Sequence, residues 1–334
     1  MPCPATVPAL PRRVVLAAAL AAFSGRASAQ GAFPARGVVL VVPFAPGGTT
    51  DVLARILQEP LARRLGVAVT IDNRPGAGGA IGAEAVRRAP PDGHTLLLAT
   101  ASTHGVNPAV FSDLPYDAER DFAPIALLGV TPQALAVRAD HPARNVADLI
   151  ALLRAEPGRH AYASAGVGSI THLASEWFLQ AAGGLEVQHV PYRGGGPALQ
   201  AVIAGEAAFV LETTATLAGA ALGGRVRLLA VATARRSAAF PEVPTLQEEG
   251  LAGFDAGSWT MAVAPAGTAA PVLARWNAVL RETLAEAGVR ERLAAIGTEV
   301  VAENTPEAAA AHIRAEIARW REVVARAGLR LTRS

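Results

Sequence analysis

Apolar runs of strand length alternate with amphipathic stretches of helical length along nearly the whole chain, and this alternation limits the possible folds more than any other feature. Strands rich in Val, Leu and Ile are indicated at 38–42, 95–99 and 208–211, and helices at 146–155 and 170–181. Strands and helices in turn are typical of an α/β protein whose helices cover a mostly parallel sheet. With 334 residues, the chain is long enough for two lobes that each bury a core.

The first 29 residues have the pattern of an export signal. Arg12 and Arg13 precede an apolar stretch of about ten residues, and Ala27-Ser28-Ala29 supplies the small residues of a cleavage site. This stretch is shorter than the roughly 20 residues that cross a bilayer, and no later segment is long and apolar enough. We therefore expect cleavage near Ala29 and a periplasmic mature chain. The two arginines fit the twin-arginine motif only in part, so both the general and the twin-arginine export routes remain open.

Charge, cysteine and histidine content exclude several functions. Three of the 30 basic residues and none of the 28 acidic ones lie in the leader, which leaves a nearly neutral mature chain. A nucleic-acid partner would require a basic surface and is not expected. Cys3, the single cysteine, leaves with the leader, so no disulfide or thiol chemistry is expected. The histidines show no metal-ligand spacing, and we expect neither a metal nor a cofactor; only His104 lies where a cleft would be.

The segment from Val38 to Asp51, VVLVVPFAPGGTTD, has the composition of an anion-binding loop. An apolar strand leads through Gly47 and Gly48 into a helix, for which Thr49 or Thr50 is the expected N-cap. The first amides of a helix lack partners within it and carry the positive end of its dipole, so they attract an anion. An ordinary strand-to-helix turn uses the same residue types, so this loop alone does not separate the two interpretations.

A second loop with the same pattern spans 161–172, AYASAGVGSITH. Two glycines again lead from a strand to a helix, and Ser169 fits as an N-cap whose hydroxyl and amide face a ligand. The two loops are about 115 residues apart in the sequence. This spacing suggests two lobes that close on one anionic ligand.

Two enzymatic interpretations of the glycine-rich loops fail on spacing. Asn73–Gly82 contains four glycines, but the dinucleotide-binding pattern requires a glycine where this chain has isoleucine. Ser169 with His172 suggests an activated nucleophile. A nucleophile elbow would have glycine two residues before and after the serine, where Val167 and Thr171 stand, and no acid is marked as the third member. An exported esterase-like hydrolase using Ser169 and His172 is kept as the alternative to a binding protein.

Two more polar segments follow predicted strands and are expected in the same cleft. The loop 190–197, VPYRGGGP, contains Tyr192, which can pack on a ligand, and Arg193, which can supply positive charge. The alternatives are equally open: Tyr192 only packs locally, and Arg193 is only a solvated loop residue. Glu212 and Thr213 come at the end of another strand. An acid there suits a ligand that also carries an amine or a hydroxyl, or it caps the next helix.

Beyond these local patterns, the chain resembles a known family. The motifs that carry the resemblance are PFAPGGTTD at 43–51, NRPGAGGAIG at 73–82, DGHTLLL at 92–98, LPYDAERDFAPI at 114–125 and VPYRGGGPAL at 190–199. Together they look like the motifs of the Bug (TctC-type) extracytoplasmic solute receptors, and they cover essentially the whole mature chain in order.

The resemblance implies the fold class and the partners. It implies an α/β, type II periplasmic-binding-protein-like fold with two lobes and a ligand cleft between them. We assign 30–130 plus 255–334 to lobe 1 and 131–254 to lobe 2. Such receptors serve tripartite tricarboxylate transporters, and some are sensory. The expected partners are therefore a small organic carboxylate and membrane permease subunits, or a sensor kinase for a sensory member, and the chain is expected to be a monomer without enzymatic activity.

The resemblance also implies how the ligand is held. A carboxylate would lie between the two loops, held largely by backbone amides and ordered water, while 102–107 and the loop around Glu212 would line the distal end. The sequence does not indicate which carboxylate is bound. The predicted ligand-binding residues are Phe44, Pro46, Gly47, Gly48, Thr49, Thr50, Ser102, Thr103, His104, Asn107, Ser164, Gly166, Gly168, Ser169, His172, Tyr192, Glu212 and Thr213.

Overall fold

The computed structural model describes Met1, Cys3, residues 33–301 and residues 304–327. Apart from Met1 and Cys3, the predicted export signal lies outside the described residues. The chain divides into two compact units, Met1–Ala35 and Arg36–Ser334, and the second contains every element named below. Among the helices that are described, none combines the length and the apolar character that a membrane span requires.

Strands and helices alternate through the second unit, as predicted. The strands are β1 (Val38–Val42), β2 (Val69–Asn73), β3 (Thr95–Thr100), β4 (Phe122–Arg138), β5 (Ala161–Ser164), β6 (Gln188–Pro191), β7 (Phe209–Thr213), β8 (Val226–Val231) and β9 (Gly257–Pro265). The α-helices are α1 (Thr49–Leu65), α2 (Ala80–Arg87), α3 (Asn107–Val110), α4 (Val146–Ala155), α5 (Ile170–Ala181), α6 (Gly195–Ala204), α7 (Thr214–Leu222), α8 (Ala270–Ala285), α9 (Ala287–Ala295) and α10 (Pro306–Ala327). A 3₁₀ turn covers Ala77–Gly79, and a π-helix covers Ser102–Val106.

The strands form a mixed sheet that we describe in two parts. The first half-sheet has the order β2-β1-β3-β9-β4, and the second has the order β4-β7-β5-β6, with β8 also paired to β4. Strands β1 to β3 are parallel, as are β5 to β7, whereas β4 and β9 run antiparallel to their neighbours. The prediction of a mostly parallel sheet is therefore right within each half-sheet and wrong for the strands that connect them.

Strand β4 belongs to both half-sheets. Its 17 residues include two segments, 125–130 and 134–138, that the sequence predicts as separate strands. The first part pairs with β9 as far as Pro132, and the part from Gln133 onward pairs with β7 and β8. Proline cannot donate a ladder hydrogen bond. It is accommodated here because Pro132 lies where the strand changes partners.

Helix boundaries agree with the sequence prediction where the local signals are strong. Helices α4 and α5 have the predicted bounds. Helix α1, predicted over 52–65, begins three residues earlier, at Thr49. Its N-cap is Gly48 rather than Thr49 or Thr50, which are the first two helical residues. The side chain of Asp51, in the first turn, accepts a hydrogen bond from the Gly47 amide at 2.9 Å and so connects the helix to the loop that precedes it. The N-cap role predicted for Ser169 is confirmed, since its side chain accepts from the His172 amide.

The C-terminal helix α10 is fixed to the first half-sheet by one buried acid. Glu316 Oε2 accepts from Trp259 Nε1 at 2.9 Å and from Trp320 Nε1 at 3.2 Å. Arg319 contacts the other carboxylate oxygen at 3.0 Å. Trp259 and Trp320 are both almost fully buried. Because a buried indole N–H needs an acceptor, Glu316 allows two tryptophans to pack into the core.

Replacing Glu316 by leucine is expected to lower the free energy of unfolding by about 2–4 kcal/mol, because it leaves two buried indole donors without an acceptor. Glu316→Gln keeps one acceptor oxygen and is expected to cost less. Urea unfolding measures both changes. The control is Glu322→Ala, which removes an exposed ion pair with Arg326 and is expected to change stability by less than about 0.5 kcal/mol. Equal losses of unfolding free energy in Glu316→Leu and Glu322→Ala would contradict the role of Glu316 as the acceptor for the two indoles.

Candidate functional site

A small cavity of about 30 Å³ lies where strands of both half-sheets end. Phe44 follows β1, Ser102 follows β3, Ala165 follows β5 and Glu212 lies at the end of β7, and all four line the cavity. The carboxyl ends of parallel strands are where ligands bind in α/β sheets, because the loops that follow the strands converge there. The site therefore lies at the expected edge of the sheet.

The N-termini of four helices meet at this cavity. Its wall includes Thr49 of α1, Ile170 of α5, Gly195 of α6 and Thr213, the N-cap of α7. The first amides of each helix lack intrahelical acceptors and carry the positive end of the helix dipole. None of the described residues that line the cavity is Arg, Lys or His. Partial positive charge at the cavity wall thus comes from backbone amides rather than from basic side chains.

Hydroxyl groups supply most of the side-chain polarity of the cavity wall. Besides the residues already named, the lining includes Thr50, Thr100, Thr171 and Ser258. Ser102 Oγ accepts a hydrogen bond from the Ile170 amide at 2.9 Å, which links the π-helix of the first half-sheet to α5 of the second. A hydroxyl both donates and accepts, so these groups can adapt to either end of a polar ligand.

Glu212 is the single acid among the described residues that line the cavity. Its Oε1 accepts from the Thr213 amide at 2.8 Å and from Thr213 Oγ1 at 3.1 Å. Its Oε2 is fully buried and has no hydrogen-bond partner among the described residues. Burial raises the pKa of this carboxyl to about 7, although Thr213 and the hydroxyl of Thr216 favour the charged form. Glu212 therefore changes charge near neutral pH and has one free acceptor.

Two glycine-containing loops cross directly over the cavity. The Ala45 amide, after β1, donates to the Arg193 carbonyl, before α6, at 2.9 Å. A Cβ on Gly196 would lie 2.7 Å from the Pro46 carbonyl oxygen, closer than real side chains approach. The close approach of the two loops at Pro46 therefore requires a glycine at position 196. We call this arrangement the closed form.

Three threonine hydroxyls connect the same two parts of the chain. Thr49 Oγ1, at the start of α1, bonds to Thr213 Oγ1 and lies 3.1 Å from Thr216 Oγ1 in α7. Thr213 Oγ1 and Thr216 Oγ1 are also 3.1 Å apart. This cluster adjoins Glu212 through Thr213, so closure and the acid belong to one hydrogen-bond network.

A stacked pair of histidines forms hydrogen bonds that support the loop between β5 and α5. The rings of His172 and His189 are nearly parallel, with centroids 3.9 Å apart. His189 Nε2 lies 2.6 Å from Ser164 Oγ, and His172 Nδ1 accepts from the Gly168 amide at 3.3 Å. Burial, with His189 nearby, lowers the pKa of His172 to about 3, and burial lowers the pKa of His189 to about 4. Both rings are neutral at pH 7 and act as hydrogen-bonding supports.

Seven of the eighteen predicted ligand-binding residues line the cavity in the closed form, and eleven do not. Those in the lining are Phe44, Gly48, Thr49, Thr50, Ser102, Glu212 and Thr213. Those outside it are Pro46, Gly47, Thr103, His104, Asn107, Ser164, Gly166, Gly168, Ser169, His172 and Tyr192. Several of the second group hold the loops in place, as the contacts of Ser164, Gly168 and His172 show.

His104 and Tyr192 lie differently from what the sequence suggests. His104 is fully buried against Phe122 and Tyr116, with ring centroids 4.7 and 6.0 Å away, and burial lowers its pKa to about 3. The Tyr192 hydroxyl donates to the exposed Glu206 carboxylate at 3.2 Å. Neither side chain reaches the cavity lining in the closed form, and their ligand contacts stay predictions.

Six lining residues were not predicted. They are Thr100, Ala165, Ile170, Thr171, Gly195 and Ser258. Four of them, Ala165, Ile170, Thr171 and Gly195, lie within the segments 161–172 and 190–197, so their location in these loops was a usable signal. Thr100 ends a strand, and Ser258 comes from β9, far along the chain. Neither has a local signal that distinguishes it from other hydroxyl residues.

The geometry around Ser169 and His172 differs from that of a nucleophile and its base. Ser169 Oγ accepts from the His172 backbone amide at 3.2 Å and lies 3.0 Å from Thr171 Oγ1. The His172 ring receives its hydrogen bond from Gly168 instead. An activated serine requires its hydroxyl to bond to the imidazole. In the closed form these two side chains serve helix capping and loop support.

Comparison with known proteins identifies the family. The family model described as the tripartite tricarboxylate transporter family receptor, TctC, matches residues 53–329. The chain belongs to this receptor family. The resemblance inferred from the sequence motifs is thus confirmed. Among curated relatives, BugT of Bordetella pertussis is 36% identical to the receptor over 301 residues, which cover 90% of this chain and 91% of BugT.

Solved structures confirm the predicted fold. MatC from Rhodopseudomonas palustris, with bound malate, is 36% identical and has a TM-score of 0.84, covering 87% of the receptor and 100% of that chain. Rpa4515 from R. palustris, with adipate, is 35% identical with a TM-score of 0.85, covering 89% and 98%. The periplasmic binding protein BugD is 32% identical with a TM-score of 0.86, covering 89% and 99%. The receptor therefore has the two-lobed α/β fold of periplasmic solute-binding proteins.

Gly196→Ala is expected to separate the two crossing loops, because the added Cβ would meet the Pro46 carbonyl. Overpacking of this kind costs about 1–3 kcal/mol, so exchange of the Ala45 amide should speed up roughly tenfold or more. Hydrogen exchange followed by mass spectrometry measures this. Gly219→Ala in α7, where a Cβ meets nothing within 4 Å, is the control. Unchanged protection in Gly196→Ala would show that the crossing does not depend on this glycine.

Acid is expected to destabilise the receptor. The unfolded chain binds protons on histidine near pH 6.5, whereas folded His104, His172 and His189 bind them only near pH 3 to 4. Their contribution is complete above pH 6.5 and is lost as the pH falls below it. Glu212 acts oppositely: its raised pKa gives stability that is complete below pH 4.5 and is lost as the pH rises through 7. On acidification, the stability lost through the three histidines is therefore larger than the stability gained through Glu212.

The melting temperature is therefore expected to fall when the pH is lowered from 7.5 to 5. His189→Phe keeps an aromatic ring against His172 and removes one titrating group, so the fall in this variant should be smaller. Calorimetry at the two pH values measures both proteins. An equal fall in wild type and His189→Phe would contradict the assignment of acid sensitivity to the stacked pair.

Proposed function

We propose that the receptor captures a small organic carboxylate outside the cytoplasm and delivers it to a tripartite tricarboxylate-type transporter. The observation that carries this proposal is the convergence of four helix N-termini on one cavity whose described lining contains no basic side chain. Backbone amides at helix N-termini bind carboxylates and other anions. Malate in MatC and adipate in Rpa4515 support a carboxylate as the anion.

Helix termini alone can hold the ligand. Each favourable interaction of an anion with a helix N-terminus contributes about 0.3–1 kcal/mol at an exposed site, and more when partly buried. Gly48 and Gly195, beside the two crossing loops, line the cavity, and electrostatic interactions strengthen where a bound ligand excludes water. The hydroxyls of Thr50, Thr100, Ser102 and Thr171 add hydrogen bonds. A dedicated arginine is therefore not needed for capture.

Binding requires an open form. The cavity of about 30 Å³ has room for a water or two, whereas ligand pockets typically measure about 300–1,000 Å³. We propose that the loop at 45–48 separates from the loop at 193–196 to admit the ligand. The moving bodies would be lobe 1, residues 30–130 plus 255–334, and lobe 2, residues 131–254. Strands β4 and β9 cross between them and would serve as the hinge.

The remaining assignments follow from this role. We propose that the chain is not an enzyme, since Ser169 and His172 bond to the backbone rather than to each other. We propose that residues 1–29 direct export to the periplasm, the location of BugD. We also propose that the receptor acts as a monomer. We favour delivery of the ligand to permease subunits over signalling to a sensor kinase, because the matching family is one of transporter receptors.

Thermal melting of the purified receptor against a panel of organic acids tests this function. At 100 times its dissociation constant, a bound acid adds about 2.7 kcal/mol of stability, which raises the melting temperature by several degrees. The panel contains malate, succinate, adipate, lactate and propionate, with the corresponding amides as uncharged controls. A rise with at least one acid and none with its amide is expected. Hydrolysis of simple esters that is lost in Ser169→Ala would favour the hydrolase instead.

A further inference from the structure

We propose that Glu212 is a specificity residue that selects carboxylates carrying a hydroxyl or ammonium donor. This inference rests on the proposed function and names the substrate class of the same site. Its basis is that Glu212 lines the cavity and that its buried carboxylate oxygen Oε2 has no hydrogen-bond partner among the described residues. A buried acceptor without a donor is unfavourable, more so if it is charged, so a ligand that supplies the donor removes this cost.

The neighbours of Glu212 hold its carboxylate in place. Oε1 is already bonded to the amide and hydroxyl of Thr213, which fixes the orientation of the carboxylate. On the other side, a Cβ at Gly195 would lie 2.5 Å from Oε2. The carboxylate therefore packs directly against the backbone of Gly195, and only a glycine at position 195 leaves it in this position.

The cavity wall offers two kinds of partner to a ligand. The helix N-termini supply partial positive charge for a carboxylate, whereas Glu212 supplies an acceptor or a negative charge. An acceptor-only group placed against ionised Glu212 would be repelled, as like charges in a buried site are. A ligand that carries an O–H or N–H donor close to its carboxylate satisfies both kinds of partner. α-Hydroxy and amino acids have this chemistry.

No other titratable group faces Glu212 among its described neighbours. Ala134 lies opposite it on β4, Gly195 faces it from α6, and Thr213 and Thr216 flank it on β7 and α7. Its protonation state is therefore set by burial and by these hydroxyls. Near pH 8 the carboxylate is ionised and accepts a hydrogen bond from the ligand. Near pH 5.5 it is protonated, so its preference for a donor should weaken.

Titration calorimetry on the full chain with two matched pairs of acids tests this proposal. L-malate is compared with succinate and L-lactate with propionate, because each pair differs by one hydroxyl. At pH 8, the hydroxy acid of at least one pair is expected to bind about tenfold more tightly or better, the value for a hydrogen bond to a charged group. Glu212→Gln has the same shape and can donate, so the ratio should fall to within about threefold. Glu206→Gln, at an exposed acid outside the cavity, should keep the wild-type ratio.

The wild-type protein alone gives a second test that does not depend on how Glu212→Gln folds. The preference for the hydroxy acid should be larger at pH 8 than at pH 5.5. Equal affinities within both pairs at pH 8, as expected if a water rather than the ligand satisfies Oε2, would overturn this inference while leaving carboxylate capture intact. An unchanged ratio in folded Glu212→Gln would also overturn it. Failure of all four acids to bind wild type would overturn the proposed function as well.

Discussion

The arrangement of this receptor depends on one long strand that is shared by both half-sheets. Strand β4 pairs with β9 over its first part and with β7 and β8 over its last part, and the change of partner falls at Pro132 and Gln133. The parallel strands of the second half-sheet are joined to β4 directly through β7, and those of the first are joined to it through β9, so residues that follow both sets of strands line one cavity. The helices that follow these strands then begin at the same place. The convergence of four helix N-termini is thus a result of topology rather than of any particular polar residue.

The site combines backbone attraction with a single side-chain acid. Helix termini favour any anion, and their preference depends on main-chain geometry that most substitutions leave unchanged. Selectivity must therefore come from the few side chains that reach the cavity, and Glu212 is the one among them whose charge changes near neutral pH. The closing contacts through Thr49, Thr213 and Thr216 adjoin that acid. The contacts between the two half-sheets and the acid that we propose as the specificity residue therefore belong to the same hydrogen-bond network.

Local sequence signals predicted the α/β class, whereas the two-lobed fold was implied by the resemblance to the receptor family; seven of the predicted binding residues line the cavity. Ser169 was correctly predicted as an N-cap because a serine before an amphipathic run is a strong signal, and the loop containing Gly48 was found from its glycines. Ser258 was missed because β9 reaches the cavity only through pairing with β3 and β4, which no local pattern encodes. His104 was placed in the cleft from its position after β3, but its direction is decided by packing against Tyr116 and Phe122. Loop location is thus readable from sequence, whereas side-chain direction depends on tertiary contacts.

The absence of basic side chains from the described cavity lining also governs how a ligand arrives. A formal charge acts over a Debye length, about 8 Å at physiological ionic strength, and can steer an ion from solution. The partial charges of a helix terminus act mainly within its first turn. The chain after position 29, the predicted cleavage point, is also nearly neutral, with 27 basic against 28 acidic residues. For a receptor with the proposed function, we therefore expect recognition of the anion on contact rather than attraction from a distance, and a rate of capture that depends little on ionic strength.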